Sequence, residues 1–418
     1  MTRSTRSRGS AVPATPLDDD DLLGQILLRL PPSPSSLPRA SLVCKRWRRV
    51  ISGPYFLRSF RAHHRKAPLL GFLFQNHIGA DVGFAPALDP PDRIAEARFT
   101  LQVRGYCLLG CRHGRVLAVD WNNKHNILVW DPVTGYQLCL AAPPAPRAVD
   151  TPGDRMNGAV ICAATDKGHT HGACHSSPFQ VVMVDARWNG GLSACIYSSE
   201  TSSWVDAMSM SWQSLFPKEN NMRPFIPISL SSTMVGNQIC WLLLGLTGAI
   251  LQFDSRVQSF AVIEVPPGSY DHIAFSHGQC QFLVTRTDAG GIGFLVLSGF
   301  SVRLWKRNVN SDGFAGWVLG NTIELSSLLL LSLDVYTKHP MIVGYAEDDN
   351  VIVLRTDDGV FMLQLETLQF NKLARMDQHW PPYLPFKSFY PADLLDAPRQ
   401  DDPSQLRYPP KYPEMNFI

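Results

Sequence analysis

Residues 127–140, ILVWDPVTGYQLCL, predict a strand, a tight polar turn and a second strand. The same texture returns in ACIYSSETSSWV (194–205), AILQFDSRVQSFAVI (249–263) and VFMLQLETLQFNKL (360–373). A weaker fifth copy with a longer hairpin leads from residues 301–305 to residues 317–318. Repeated short strands separated by turn residues are typical of an all-β region in which each copy supplies one hairpin.

A further apolar segment precedes most copies, so the repeating unit is longer than one hairpin. Examples are GRVLAV (114–119), NQICWLL (237–243) and NVIVLR (350–355). The unit is a strand meander of about 50 residues, which is similar in period to a kelch repeat. Over roughly 310 residues, this period predicts a β-propeller of six to seven blades.

Three other architectures fit this region less well. Trp130-Asp131 is a WD dipeptide, but it occurs once and without a Gly-His at blade spacing, which argues against WD40 repeats. A leucine-rich solenoid needs a period of roughly 20–29 residues, whereas the leucine-rich run at 325–333 is local. A two-sheet sandwich stays open, although roughly 310 residues is long for one.

The segment from residue 17 to residue 60 has helical periodicity instead. Its first aliphatic residues fall on one helix face: Leu22, Leu23, Ile26, Leu27 and Leu30. The acidic run 18–21 lies at the start of this helix, where the helix dipole favours negative charge. Pro31 and Pro32 end the helix, because proline donates no backbone hydrogen bond.

A second apolar pattern follows the two prolines and predicts two short helices with a bend around Val43. Its members are Leu37, Ala40, Ser41, Cys44, Trp47, Val50 and Ile51. A unit of about forty residues buries little apolar surface alone. The pattern therefore favours, about equally, a module stabilised by a partner and a helical cap packed on the β region.

The order and spacing of these residues resemble the F-box. The matching positions are Leu22, Leu23, Ile26, Leu27, Arg29, Leu30, Pro31, the block 43–47, Ile51, Pro54 and Phe56. The sequence departs from the family pattern at Asp18, where proline usually follows leucine, at Gln25, where glutamate is frequent, and at the extra Pro34. None of these departures removes an apolar anchor. The resemblance covers about a tenth of the chain.

The β region looks like the F-box-associated region of plant F-box proteins, especially in VWDPVTG and YSSETSSW. The F-box resemblance implies docking on a Skp-type adaptor, which links the chain to a cullin scaffold and a RING subunit. By the family pattern, ten residues contact the adaptor or hold the helices that do: Leu22, Leu23, Ile26, Leu27, Leu30, Pro31, Leu37, Val43, Cys44 and Trp47. We therefore expect a substrate-recognition subunit of an SCF-type ubiquitin ligase, whose β domain binds a substrate protein that the sequence does not identify.

These readings predict an α+β multidomain chain. Its expected parts are a tail at 1–16, a helical F-box-like module at 17–60, a β-propeller-like domain at 66–395 and a tail at 396–418. The formal net charge of +2 gives no global field for binding nucleic acid. The basic group Lys45, Arg46, Arg48 and Arg49 is interpreted as a solvated helix face.

The sequence also bears on location. No apolar run reaches the ~18–20 residues of a membrane helix, and the first residues lack the apolar core of a secretory signal. The nine cysteines lie at scattered spacings, which favours reduced thiols. We therefore expect no membrane partner and a location in the cytoplasm, the nucleus or both.

Catalytic and metal-binding chemistry has little support in the sequence. Neither G-x-S-x-G nor a Walker A motif occurs, and we expect no catalytic residue and no cofactor. His169, His171, Cys174 and His175 lie too close together to make a zinc site by themselves, and no distant second pair is evident, so a loop insertion between blades is favoured over a metal site. Two alternatives stay open, a propeller enzyme with convergent carboxylate, Tyr or His side chains at its central channel and an F-box scaffold outside degradation.

Overall fold

A computed structural model describes most of the chain. The described residues are 19–120, 126–143, 156–165, 169–187, 191–216, 224–245, 247–270, 280–287, 289–309, 315–329, 339–374 and 380–389. Both predicted tails, at 1–16 and 396–418, lie outside these ranges. Within them, no helix is long and apolar enough to cross a membrane.

Four helices form the N-terminal module: α1 (Asp20–Leu27), α2 (Ser36–Ser41), α3 (Lys45–Ile51) and α4 (Pro54–His64). The Asp19 carboxylate caps α1 by accepting from the backbone N–H groups of Asp21 and Leu22. Helix α1 ends at Leu27, earlier than the prolines alone predict, and Leu28–Leu30 form turns. A residue before proline is disfavoured in the helical region, so the helix unwinds ahead of Pro31.

After α4, strands β1 (Leu69–Gln75) and β2 (Val82–Pro86) form a hairpin, and a 3-10 turn follows at Glu96–Phe99. The first four-stranded antiparallel sheet has β3 (Tyr106–Arg112), β4 (Arg115–Asp120), β5 (Asn126–Trp130) and β6 (Gln137–Ala141). The second has β7 (Met156–Cys162), β8 (Phe179–Arg187), β9 (Gly191–Ser198) and β10 (Ser203–Met210). A short helix follows at Trp212–Leu215.

Three more sheets repeat this meander. The third has β11 (Thr233–Val235), β12 (Gln238–Leu243), β13 (Ala249–Asp254) and β14 (Ser259–Glu264). The fourth has β15 (Cys280–Arg286), β16 (Ile292–Ser298), β17 (Ser301–Val309) and β18 (Ala315–Glu324), followed by a helix at Leu325–Leu329. The fifth has β19 (Met341–Ala346), β20 (Val351–Thr356), β21 (Gly359–Gln364) and β22 (Phe370–Ala374).

Strands from both ends of the β region form the sixth blade. Strand β23 (Trp380–Lys387) pairs antiparallel with β1, which pairs with β2. One parallel residue pair between β19 and β23 joins the sixth blade to the fifth blade in a single seven-stranded sheet. The Gln75 side chain ties the sixth blade to the first one, because its amide donates to the Tyr106 carbonyl oxygen at 2.8 Å and accepts from the Leu108 N–H at 3.1 Å. At Gly344 and Tyr383, β19 meets β23 so closely that a side chain on Gly344 would collide with the Tyr383 backbone.

Apolar side chains fill the space between consecutive sheets and close the ring. Separate clusters join the first sheet to the second, the second to the third, and so on to the sixth, and a further cluster joins the sixth to the first. Six interfaces in a closed circle define a six-bladed β-propeller in the described residues. The predicted architecture is confirmed, and the blade number resolves to six.

The repeat seen in the sequence has a physical basis in the last turn of four of the six blades. Asp131, Ser198, Asp254 and Gln364 occupy equivalent positions, and each side-chain oxygen accepts from backbone N–H groups two or three residues later. Four residues after these positions, the backbone has a positive φ: Gly135, Ser202, Gln258 and Leu368. The side-chain cap and the left-handed residue together set the tight turn between the third and fourth strands.

Candidate functional site

The helical module has a small core. Its buried members are Leu23, Leu27, Ala40, Ile51, Phe56 and Phe60, joined by Ala67 and Phe389 from outside the four helices. Three of the ten residues named by the family pattern, Leu30, Leu37 and Trp47, are partly buried against this core. Together with Leu23 and Leu27, they hold the helices in place and offer little surface to a partner.

The other five residues of that set point outward. Leu22 and Ile26 are 48% and 40% exposed and lie one turn apart on the same side of α1. Val43 is 61% exposed, and Pro31 and Cys44 are also exposed. The structure thus divides the ten predicted residues into an inner set, which packs, and an outer set, which is free to contact a partner.

Two further exposed apolar residues of the module were missed by the sequence reasoning. Leu42 is 74% exposed beside Val43, and Tyr55 is 82% exposed in the first turn of α4. Both are large apolar residues next to matched positions but out of phase with the core periodicity, and this signal could have identified them. The outer set and these two residues together are called the apolar face of the module below.

Helix α3 is tied to α1 by charge. The Arg46 and Arg49 guanidinium groups lie 2.7 and 3.1 Å from the two oxygens of Asp20. The hydrogen bond from Arg46 is the main cause that holds the pKa of Asp20 below its usual value. Lys45 and Arg48 are exposed, so half of the basic group is solvated and half is paired.

The face of the propeller next to α4 contains a cavity of about 430 Å³. Its lining comes from the segment after α4 at 65–67 and from the ends of inner strands, including Arg112, Arg286 and Lys387. At its floor, Arg112 of the first blade donates to both carboxylate oxygens of Glu347, at 2.7 and 3.0 Å. The cavity is therefore the mouth of the central channel on the side of the helical module.

The Arg112–Glu347 pair crosses the channel and also engages the third blade. Arg112 donates to the hydroxyl and carbonyl oxygens of Ser232, at 3.3 and 2.9 Å, and the Met234 N–H donates to Glu347 at 2.6 Å. The side chains of the ion pair are only 10% and 15% exposed. Blades one, three and five are thus joined by one polar network at the axis.

A second charged group lies at the rim of the mouth. Asp348 is 3.1 Å from Arg286 and 3.5 Å from Lys387, and Asp349 is 2.8 Å from Lys387 and 3.0 Å from Lys66. Burial raises the pKa of Asp348, but the cations of Lys387 and Arg286 outweigh it and the net pKa lies below the usual value. A carboxylate held ionised by cations is a poor proton donor near neutral pH, so Asp348 is better suited to ion pairing than to acid catalysis.

The His- and Cys-rich loop lies at the same face. Cys162, at the end of β7, meets His169, His171 and Cys174, and the four ligand atoms all lie within 4.8 Å of one another. His175 lies outside this group and pairs with Asp131 at 2.7 Å. The Cys174 thiol hydrogen-bonds the Cys162 sulfur and lowers the pKa of Cys162.

The sequence reasoning missed Cys162 and wrongly included His175 as a candidate ligand. Cys162 precedes the loop by several residues and belongs to a strand, so only the folded path of the chain brings it to the loop. Its spacing of seven residues to His169 matches no short zinc motif. The sequence shows no second distant ligand pair, and the folded chain adds one distant residue, Cys162, to the loop.

The segment after α4 joins the module to this loop. Gly172 has a φ of +101°, and a side chain there would collide with Ala67. The Gly172 carbonyl oxygen accepts from the Phe389 N–H at 2.9 Å and from the buried Ser388 hydroxyl at 3.1 Å. Loop, linker and final strand thus meet at one junction below the helical module.

Several solved structures resemble the chain weakly. They include the periplasmic gluconolactonase PpgL of Pseudomonas aeruginosa, with 12% identity, 74% coverage of this chain, 83% of that one and a TM-score of 0.35. Apo AztD from Citrobacter koseri has 9% identity, covers 75% of this chain and 88% of its own, and has a TM-score of 0.37. The Cps50 (Swd1) β-propeller domain of Myceliophteria thermophila has 9% identity, covers 75% of this chain and 87% of its own, and has a TM-score of 0.38. At these values the likenesses carry no argument about function, and no curated protein matches the sequence.

Two family models match the chain where the fold places its two parts. The F-box domain matches residues 19–59, which cover α1 to α3 and the start of α4. The family described as F-box protein AT5G49610-like, beta-propeller matches residues 107–392, which run from β3 through β23. The chain therefore belongs to the F-box protein AT5G49610-like, beta-propeller family and is a plant-type F-box protein.

Proposed function

We propose that this F-box protein is the substrate-recognition subunit of an SCF-type cullin-RING ubiquitin ligase. Its F-box docks on a Skp-type adaptor, which connects it to the cullin and RING subunits, and its propeller binds the substrate protein. The observation that carries the proposal is the apolar face of the module, with Leu22, Ile26, Leu42, Val43 and Tyr55 all at least 40% exposed.

Exposure of this kind has a physical cost that a partner removes. Covering apolar surface yields roughly 25 cal/mol per Å², and interface energy concentrates in a few large apolar anchors at the centre of the contact. The apolar face supplies such anchors on α1, on the turn between α2 and α3, and on the first turn of α4. Exposed Lys45 and Arg48 adjoin Cys44, so an acidic rim on the partner would orient the contact.

Support for a binding role of the propeller comes from its family and from its channel mouth. The carboxylates of Glu347, Asp348 and Asp349 are each paired with Arg or Lys side chains, and Glu347 also accepts a backbone hydrogen bond. This arrangement supports a non-catalytic receptor, in which the ubiquitin-conjugating enzyme recruited by the RING subunit performs the chemistry. A receptor of this kind acts in the cytoplasm, the nucleus or both.

Adaptor docking is tested by co-purifying the full-length chain with a Skp-type adaptor and measuring affinity by calorimetry. We expect the double variant Ile26→Asp, Val43→Asp to weaken binding at least 100-fold, because it places two charges in a dry contact. Val257→Asp is the matched control, since Val257 is 70% exposed in a propeller turn, and it should bind as the wild type does. Leu27→Asp is unsuitable, because Leu27 is only 1% exposed and the substitution would unfold the module.

Equal adaptor affinity for wild type and the double variant, with helical content retained, would overturn the docking proposal. The receptor role is tested separately by proximity labelling in cells in which the ligase is blocked, followed by mass spectrometry. Proteins labelled by the wild type should accumulate when the ligase is blocked. They should escape turnover when the double variant replaces the wild type.

A further inference from the structure

Four side chains that adaptor docking does not use meet beside the junction of module and propeller. The Nε2 atom of His169 lies 3.3 Å from the Cys162 sulfur and 3.3 Å from the Cys174 sulfur. The Nδ1 atom of His171 lies 3.6 Å from the Cys174 sulfur. Each of the four ligand atoms is within 4.8 Å of the other three, so they surround one small volume.

The three S–N separations of 3.3, 3.3 and 3.6 Å are close to the S–N edges of a zinc coordination tetrahedron. Zn–S bonds of about 2.3 Å and Zn–N bonds of about 2.0–2.1 Å give S–N edges of about 3.6 Å and S–S edges of about 3.8 Å. Ordinary thiol–imidazole hydrogen bonds explain the cluster less well. One ring nitrogen carries either a single lone pair or a single proton, and therefore it cannot make full hydrogen bonds to two sulfurs at once.

We propose that Cys162, His169, His171 and Cys174 form a structural Zn²⁺ site. Two thiolates and two imidazoles are the ligand set that zinc takes in closed four-coordinate sites, and four protein ligands leave no position open for substrate. Soft sulfur ligands select zinc over magnesium or calcium. Zinc binds the thiolate form of cysteine, so any thiol proton still present at the site is released to solvent on binding.

Residues around the cluster position the ligands. The His113 ring stacks on His171 with ring centroids 3.7 Å apart, and its Nδ1 atom accepts from the Cys162 N–H at 3.0 Å. Arg115, which is 4% exposed, donates to the carbonyl oxygens of Cys174 and Ser177 at 2.5 and 2.7 Å. Such outer contacts are a regular part of metal sites, because they fix the orientation of the ligands.

The position of the site gives it a mechanical role. Between the ligands His171 and Cys174 lie Gly172, which contacts Ala67 and accepts from Phe389, and Ala173, which packs against the module core. Holding both ends of this short segment on one ion makes it a rigid support. The zinc site therefore fixes the F-box relative to the propeller, and with it the distance from adaptor to substrate.

The site is tested on the purified full-length chain by elemental analysis and by replacement of zinc with cobalt. We expect one zinc ion per chain. Cobalt loading should produce the visible absorption of a tetrahedral thiolate-bound ion, a signature that needs no variant. The double variant Cys162→Ser, Cys174→Ser should lose at least 90% of the bound metal, whereas Cys139→Ser, which alters a buried thiol elsewhere, should retain it.

Three outcomes would overturn the proposal. They are a folded wild-type chain that takes up neither zinc nor cobalt, full metal content in the double serine variant, and a chain mass showing that Cys162 and Cys174 have formed a disulfide. The mechanical role has its own measurement. Metal removal by a chelator should speed amide hydrogen exchange at 65–67 and 388–389 at least tenfold while leaving the β12 and β13 amides unchanged. Equal exchange at the junction with and without metal would refute that role.

Discussion

The F-box and the propeller bury their apolar side chains to different extents. In the propeller, six clusters fill the six gaps between consecutive blades, and each blade is covered on both faces. In the F-box, the core has six side chains from its own helices, and Ala67 and Phe389 pack against them from outside the module. Five of the thirteen large apolar side chains that are exposed in the described residues belong to this small module.

This difference indicates where the stability of each part comes from. In the described part of the ring, an apolar cluster covers each gap between consecutive blades, so the propeller holds together through its own contacts. The module exposes more of its apolar surface, and its core is completed by Ala67 and Phe389 at the junction with the propeller. Substitutions of the same chemical type should therefore have different consequences in the two regions.

Removing an arginine should show the largest difference. Arg112→Ala leaves Glu347 buried without its partner, which costs about 3–5 kcal/mol of unfolding free energy. Arg46→Ala removes an exposed partner of Asp20 and should cause no measurable change. The measurement is the denaturant midpoint from tryptophan fluorescence.

A second variant checks the reason for the Arg112 effect. Arg112→Met combined with Glu347→Leu should recover most of the lost stability, because no buried charge is then left unpaired. Equal loss in the single and double variants would show that the volume of the side chains, and not their charge, holds the three blades together.

Truncating a buried leucine should produce the second-largest difference between the two regions. Leu27→Ala in the F-box and Leu354→Ala in β20 affect side chains that are 1% and 0% exposed, and each should cost about 2–5 kcal/mol. In the small module this loss suffices to unfold the helices, whereas the propeller should stay folded. Hydrogen exchange of α1–α4 amides should rise to the unfolded rate in the first variant only, and a cooperative loss of both parts would contradict the comparison.

Replacing a glycine by alanine should change stability in opposite directions in the two parts. Gly344→Ala forces β19 away from Tyr383 and should lower stability by about 1–3 kcal/mol. Gly24→Ala lies inside α1 with open space around the new Cβ and should raise helix stability by about 0.8–1 kcal/mol. Thermal unfolding compared with the wild type should give a lower melting temperature for Gly344→Ala and a higher one for the module of Gly24→Ala.

Acidification should produce the smallest of these effects on the F-box. Burial, with the charge of His63 second, lowers the pKa of His64 below its usual value of 6.5. The unfolded chain therefore binds the proton more readily, so the stability from neutral His64 is full above pH 6.5 and declines as the pH falls below it. His64→Asn should flatten the fall in melting temperature of the module between pH 7 and pH 5, and His77→Asn in the propeller should leave it as in the wild type.

Local rules predicted the repeated part of the fold well. Each copy carries its own strands and its own turn, as in the Asp131 and Asp254 turns, so the hairpins follow from short stretches of sequence. The sixth blade follows no such rule, because β23 joins β1 and β2 across the whole length of the region. That junction depends on ring closure, which no local sequence pattern indicates. The sequence alone therefore predicted six to seven blades without deciding between them.

The candidate site residues show the same limit of prediction from local sequence. Family spacing selected Leu22 and Leu27 alike, although one is exposed and the other is core. Which face packs inward depends on the other helices and on Phe389, which is far away in the chain. For the same reason, Cys162 joins His169 only once β7 and the following loop are folded.

The closing strand has a consequence for the timing of synthesis. The F-box ends at His64, and the ring cannot close until β23, which begins at Trp380, has been made. At roughly 5–20 residues per second, the ribosome needs about 15–60 s to cover that interval. The four helices of the F-box are thus synthesised well before Phe389, which contributes to their core, so the F-box reaches its final packing only when the propeller closes.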